Sequence, residues 1–546
     1  MNASKKRQED TYREERGMET TATYEIACRE IAERIRKEGL TEPESINRAK
    51  KEISARYNLC HIPKNSDVLK FSSSSSDKGS ELRENLKRKR MRTASGVAPV
   101  AVMTSPYPCP HGRCIMCPGG PYSSFGSPQS YVGKEPAAIR AAQCNYDPYR
   151  QVTVRLHQLE EIGHDFEKVE LILMGGTLTA RPRHYQRWFV QQCLNAMKDF
   201  GKAKARQREV RNVGITFETR PDYAREREID QMLEMGATKV ELGVQHVRND
   251  ILEGIKRGHT VEDTIEATLR LRNSGLKVGF HLMLGLPGSS IEEDKRMFDR
   301  IFYDHRFMPD YLKIYPTLVV RGTELYERWK RGEYNPIREE EAIEIIAYAK
   351  RIIPEWVRIQ RIQRDIPAQF IEAGVKKSNL RQLVKARLQV LGYKCRCIRC
   401  REAGLSQLQG RIVDESSIRQ VTETYEAGDG MEYFISYEDM KNDILIAHLR
   451  LRLPYESASI HRPELMHAAL VRDLHVYGEL VPPGESKEAS WQHRGYGTRL
   501  LKRAEEIASE HGYRKVAVMS GIGVRSYYAK QGYRREGPYM VKQIAT

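Results

Sequence analysis

The stretch VAPVAVMTSPYPCPHGRCIMCPGG, residues 97–120, joins a short apolar run to a loop that carries three cysteines. Residues 97–103 are apolar and rich in β-branched side chains, which suits a strand buried on both faces. The loop sets Cys109, Cys114 and Cys117 four and two residues apart, beside Gly119 and Gly120. Three thiolates on one loop can hold three irons of a [4Fe–4S] cluster. The fourth iron then stays open to another ligand. S-adenosylmethionine suits that opening, because its amino and carboxylate groups chelate iron and an electron from the cluster would cleave its sulfonium to a carbon radical. The alternative is zinc or a structural cluster. Such sites normally close with four ligands, and no fourth cysteine is adjacent.

Working outward, similar runs recur at 169–174, 213–217, 239–244, 278–284 and 311–315, with helical patterns between them, for example at 184–200 and 261–274. Six β-then-α repeats predict parallel strands covered by helices, in a partial barrel or an open sheet. In such folds the chemistry gathers in loops after the strand C-terminal ends. The ordered set resembles the radical S-adenosylmethionine superfamily, although its usual cysteine spacing is three and two. The resemblance implies a partial (β/α)6 barrel. It also implies that Gly175 and Gly176 (MGGTLTARP), Glu218 (FETRPD) and Gln245 (ELGVQH) surround S-adenosylmethionine, and that GFHLMLGLPG lays backbone against adenine.

From about Glu432 the pattern changes. FISYED, DILIAHLRLRL and AALVRDLHVYG suggest a meandering antiparallel sheet. A glycine turn, QHRGYGT at 492–498, opens a helix; KVAVMS and a short helix, VRSYYAKQG, follow. Backbone N–H groups at a helix N-terminus form an anion site, and glycines let a pyrophosphate approach. This set resembles the GCN5-related N-acetyltransferase fold, a mixed α/β domain. The resemblance implies that Tyr496, Gly497 and Thr498 hold the pyrophosphate of acetyl-CoA. Asp473, Leu474, His475 and Val476 would offer backbone to the pantetheine, and Tyr528, or less favourably Tyr527, would stand near the thioester.

The chain has 546 residues, which at about 150 per domain suggests three or four domains. Hydrophobic residues make up 40% and charged residues 30%, enough to bury sizeable cores and to exclude a wholly disordered chain. The net charge of +17 suits a polyanion. No apolar run approaches the ~18 residues of a spanning helix, and residues 1–20 are too polar for a secretion signal, so a cytoplasmic, non-membrane protein is expected. Two helices, at 23–37 and 44–57, precede a serine-rich linker at 72–80 and the basic run ELRENLKRKRMR at 81–92. In that run Lys87, Arg88, Lys89 and Arg90 are candidates for phosphate contact. A second cluster, Cys395, Cys397 and Cys400, allows three thiolates on one zinc, with a fourth ligand from elsewhere. The expected organisation is 1–80, a basic helical region with its linker; 81–380, the barrel; 381–415, a cysteine-containing connector; and 416–546, the acetyl-CoA-binding domain.

With CPHGRCIMCPGG, YVGKEP, ETRPDY, ELGVQ, RIQRDIP, LHVYG and GPYMVK in order, the chain resembles the catalytic-subunit family of Elongator. That resemblance implies a tRNA substrate, Elongator-like accessory subunits and a carboxymethyl group built on carbon 5 of the wobble uridine. A 5′-deoxyadenosyl radical would take a methyl hydrogen from acetyl-CoA, and the resulting radical would add to carbon 5. Loss of an electron and a proton would restore the ring, and thioester hydrolysis would leave the carboxylate. It also sets Lys168 against acetyl-CoA. The rivals are a protein lysine acetyltransferase with a structural cluster, for which Glu479 is the available base; a non-catalytic tRNA-binding scaffold; and another radical enzyme such as a methylthiotransferase.

Overall fold

The computed structural model describes residues 22–59, 61–71, 86, 93–162, 164, 166–202, 209–478 and 494–544. Two compact units emerge, Met1–Met91 with Val154–Asp165, and Arg92–Thr153 with Phe166–Thr546. In the first, the helix at 22–37 repeats an apolar residue every fourth position and so gathers Ala27, Ile31 and Ile35 on one stripe. These pack with Ile46 and Ile53 of the helix Pro43–Arg56, and with Val68 and Leu86.

The second unit holds two seven-stranded sheets. In the first sheet β1 (Ala98–Met103), β2 (Lys168–Met174), β3 (Arg211–Thr219), β4 (Lys239–Gln245), β5 (Lys277–Leu284), β6 (Tyr311–Pro316) and β7 (Arg358–Ile362) lie side by side in chain order. All neighbours are parallel, and helices such as Arg183–Lys202 and Val261–Asn273 cross between them. This is the partial barrel expected, with one correction: it has seven strands, not six. β7 reads RIQRI, and only Ile359 and Ile362 are buried. Its polar positions hide a strand that pairs only at the barrel edge.

The second sheet is mixed, in the order β13 (Arg534–Glu536), β14 (Tyr539–Gln543), β12 (Lys515–Val518), β11 (Ala468–Val476), β10 (Ile444–Pro454), β9 (Gly430–Asp439), β8 (Ile418–Glu426). β11 and β12 are its one parallel pair, and the helix Tyr496–Glu510 lies on the crossover between them, as a parallel connection demands. β8 escapes the sequence reading because, as an exposed edge, it carries mostly polar residues.

The second sheet meets the barrel at the N-terminal ends of the barrel strands. Just before β6, Asp310 accepts from Arg472 of β11 at 2.8 and 2.9 Å. Just before β5, the Leu276 and Ser274 carbonyls accept from Arg472 (3.1 Å) and the Tyr539 hydroxyl (2.9 Å). Just before β7, the Trp356 carbonyl accepts from Arg450 of β10 at 2.5 Å. Gly521 lies so close to β3 that a Cβ there would stand 2.2 Å from the Val213 carbonyl oxygen. The cysteine loop leaves the opposite, C-terminal end of β1. Among the described residues no helix is long and apolar enough to cross a membrane.

Candidate active site

The loops after β1 and β2 build the upper site. The Cys117 sulfur takes the Ser130 backbone N–H at 3.2 Å and lies 3.2 Å from Gln129 Oε1. Cys109 Sγ is 3.6 Å from Thr177 Oγ1; Cys114 Sγ is 3.2 Å from His111 Nε2 and 3.8 Å from an Arg257 nitrogen. Burial raises the Cys109 thiol and pushes Cys117 up to about 11. The glycine turn closes on this loop. A Cβ on Gly175 would stand 2.2 Å from Thr104 Oγ1, and one on Gly176, at φ +90°, would stand 3.7 Å from Cys109 Sγ. Among the described residues, Arg220 Nη1 and His111 Nδ1 are buried without a hydrogen-bond partner. Three thiols on one loop with a guanidinium N–H of Arg220 beside them fit a cluster that carries an anionic ligand.

Below that loop, one face of the barrel sheet is charged. Lys313 Nζ donates to Glu218 Oε1 at 2.8 Å and also pairs with Glu241. His281 Nε2 lies 2.9 Å from Glu241, and Tyr131 reaches Glu218 at 3.4 Å. Lys239 bridges Glu170 (2.7 Å) and Glu241 (3.4 Å). Burial opposes each charge, but the partners prevail: Lys313 sits well above the usual lysine range and Glu241 well below the usual carboxylate range. Glu218 is therefore engaged by Lys313, and Gln245 ends β4 with a left-handed φ of +68°. Lys313, Glu241 and His281 were not singled out from sequence. The available signal was a charge at alternate positions of runs otherwise apolar enough to be buried on both faces.

At the barrel's other end, β11 and β12 pair only as far as Val471 and Val518, with Met519 N–H bonded to the Val471 carbonyl at 2.9 Å. Beyond that point Asp473, Leu474, His475 and Val476 remain paired with β10 and, among the described residues, have no ladder partner on the other edge. Among the described residues the two strands splay from this point. Side chains there are committed: Asp473 accepts from Lys277 (3.1 Å) and Tyr311 (2.9 Å), and His475 Nε2 lies 2.9 Å from the Ser95 carbonyl. Burial holds His475 down to about 4.

Gly495, at φ +78°, caps the helix that begins with Tyr496, Gly497 and Thr498. A Cβ on Gly497 would lie 2.8 Å from the Tyr527 hydroxyl, which is buried without a geometrically sound hydrogen bond among the described residues. Tyr528 packs edge-on against Tyr527 and Tyr533. Thus Tyr527, the less favoured of the pair from sequence, is the one that presents its hydroxyl to the turn. Lys168 is the first residue of β2, where burial and neighbouring Arg211 lower its pKa to about 8 against the opposing pull of Glu167.

Between the two sheets in sequence, the sulfurs of Cys395, Cys397 and Cys400 lie within 4.8 Å of one another, and Lys350 Nζ is 3.5 Å from Cys400 Sγ. Tetrahedral zinc with Zn–S of about 2.3 Å would hold its sulfurs ~3.8 Å apart, so this spacing suits one ion. Lys87, Arg88, Lys89, Arg90 and Glu479 fall outside the described residues.

Comparison with known proteins joins these parts. Residues 24–94 match the ELP3 N-terminal domain, 104–301 the radical SAM superfamily, 309–390 the Radical_SAM C-terminal domain and 413–533 the acetyltransferase (GNAT) family. The chain is 53% identical over 531 residues to the tRNA uridine(34) acetyltransferase of Methanocaldococcus infernus, covering 94% of this chain and 98% of that protein. It is 43% identical to Elongator complex protein 3 of Schizosaccharomyces pombe, covering 95% and 98%. The human Elongator complex protein 3 is 42% identical, covering 91% and 93%. Among solved structures, archaeal Methanocaldococcus infernus Elp3 lacking residues 1–46 superimposes with a TM-score of 0.72 at 51% identity, over 82% of this chain and 100% of that one.

Proposed function

The chain belongs to the family of Elongator complex protein 3 and the tRNA uridine(34) acetyltransferases, and on that premise we propose that it builds a carboxymethyl group on carbon 5 of the wobble uridine of tRNA. One arrangement carries the reading: a three-cysteine loop with a glycine turn at one end of a barrel, and an acyl-CoA-type strand splay at the other, in one compact unit. Cys109, Cys114 and Cys117 hold the [4Fe–4S] cluster. When bound, the cluster and S-adenosylmethionine supply a 5′-deoxyadenosyl radical, which can take hydrogen from a methyl group that no protein base would deprotonate.

The chain's own residues bring the partners together. Gly175, Gly176, Glu218 and Gln245 surround S-adenosylmethionine. The N–H groups of Tyr496, Gly497 and Thr498 face the coenzyme A pyrophosphate, and the open edge of Asp473, Leu474, His475 and Val476 pairs with the pantetheine. Lys168 supplies a cation, and the Tyr527–Tyr528 pair stands by the thioester. In the net reaction the acetyl methyl gives one hydrogen atom to 5′-deoxyadenosine and its carbon bonds to carbon 5; carbon 5 loses its hydrogen as a proton, one electron would pass back to the cluster, and hydrolysis of the thioester leaves the carboxylate and free coenzyme A. Cys395, Cys397 and Cys400 brace the chain through one zinc, completed by a ligand outside the three. Lys87, Arg88, Lys89 and Arg90 contact tRNA phosphates.

The test is one anaerobic reaction of reconstituted protein, assayed for iron and zinc, with S-adenosylmethionine, acetyl-CoA, reductant and unmodified tRNA. Nucleoside mass spectrometry is expected to find carboxymethyluridine together with 5′-deoxyadenosine. Acetylation of a lysine peptide without S-adenosylmethionine, and no modified nucleoside, would overturn the reading in favour of a protein acetyltransferase.

A further inference from the structure

The two candidate sites lie at opposite ends of one barrel, yet the proposed reaction requires their ligands to meet. The cysteine loop follows the C-terminal end of β1. The open edge of β11 begins at Asp473, which is bonded to Lys277 and Tyr311, the first residues of β5 and β6. Along β5 from Lys277 to Met283 the rise is about 20 Å at ~3.3 Å per residue.

Barrel interiors are ordinarily filled by branched apolar side chains. Here Glu170, Lys239, Glu241, His281 and Lys313 stand on neighbouring barrel strands, each in an ion pair or charged hydrogen bond. Buried pairs of this kind add little stability over apolar packing of the same volume, so stability does not account for them. Long side chains with polar ends can swing aside and exchange partners, whereas interlocked leucine and valine cannot. At the lower end, Lys277 and Tyr311 both bond Asp473.

Resting on the functional reading above, we propose that the acyl end of the coenzyme A thioester reaches the cysteine loop through the barrel interior, entering past a gate formed by Lys277, Tyr311 and Asp473. The thioester then stays enclosed by protein between the two sites, which shields it from water until its methyl carbon has reacted. Opening the gate exchanges the 3.1 Å Lys277–Asp473 bond for contacts with the incoming arm.

The test uses full-length, anaerobically reconstituted protein with S-adenosylmethionine, unmodified tRNA and acetyl-CoA deuterated in its methyl group. Pulsed EPR of the reduced cluster is expected to show coupling to the methyl deuterons in the wild type. His281→Trp fills the interior beside Glu241. It is expected to bind desulfo-coenzyme A within about twofold of wild type, lose the deuteron coupling, and transfer about 100-fold less deuterium into 5′-deoxyadenosine. Gln360 of β7 has its side-chain amide 3.0 Å from both Glu241 and Lys239, and Gln360→Trp is the second filling variant, with the same expectation should His281→Trp fail to fold. Lys277→Gln breaks the gate without filling the passage and is expected to keep the coupling. Undiminished coupling in a folded filling variant would overturn the route, as would thioester binding to wild type without coupling. Failure of the wild type to bind the thioester at all would overturn the functional reading as well.

Discussion

Lys168 shows how one residue's setting yields a measurable property. Burial and Arg211 disfavour its charge and bring its pKa to about 8, with Glu167 opposing them. Below that value Lys168 is an ammonium and attracts an anionic ligand; as pH rises through it the charge is lost. Desulfo-coenzyme A affinity is therefore expected to fall roughly threefold to tenfold between pH 7 and 9, with a midpoint moved upward by the ligand's own negative charge. Lys168→Arg should remove that dependence, and calorimetric titration across the range checks it; a parallel decline in Lys168→Arg would sink the idea. At this scale the sequence was an uneven guide. The cysteines and glycines were legible because few residue types do their work. Lys313 and Glu241 were not, because a charge within an apolar run gives no sign of the partner that will neutralise it from another strand.

Individual elements were legible where their pattern was local. The six apolar strand runs and the glycine-opened helix declared themselves, whereas β7 and β8 did not, since each relies on edge pairing and carries polar residues. β10 was legible as a strand but not as a buried one. Its alternation of leucine with His448, Arg450 and Arg452 resembles a strand with one wet face, yet all eleven residues are buried because the polar face meets charged partners. The splay of β11 from β12 makes a prediction of its own. A segment paired on one edge only exchanges its free amides readily, and a bound pantetheine would supply the missing partners. Hydrogen exchange in a peptide covering residues 472–477 is expected to slow several-fold on adding desulfo-coenzyme A, while peptides within β9 stay unchanged. Exchange in 472–477 that ignores the ligand would remove the pantetheine from this edge.

In the second unit as a whole, the two sheets are joined by buried charge. Arg472 bonds Asp310 and Glu432, Arg450 pairs with Asp310 at 3.3 Å, and Arg452 spans Asn273 (2.8 Å), Asp429 (2.6 Å) and Glu432 (3.3 Å). Arg472, Asp310 and Arg452 are wholly inaccessible to solvent. Such a lattice stabilises weakly when whole but costs a great deal to break, because each widowed charge stays buried. Asp310→Ala is therefore expected to destabilise the unit by about 3–5 kcal/mol and to give two thermal transitions where the intact protein is expected to give one. Replacing Asp310 and Arg472 together by leucine should recover part of that loss, which calorimetry of the two variants checks. Acid should act late. Burial opposes the Asp310 charge, yet the arginines hold its pKa far below the unfolded value, so its contribution is complete above the usual carboxylate range and lost only as pH falls towards the folded value. An isolated acetyltransferase-like sheet would present Arg450 and Arg472 without Asp310, and so is expected to fold poorly by itself. Two independent transitions in the intact protein would show instead that the sheets are separable, and would remove the rigid docking on which the passage through the barrel depends.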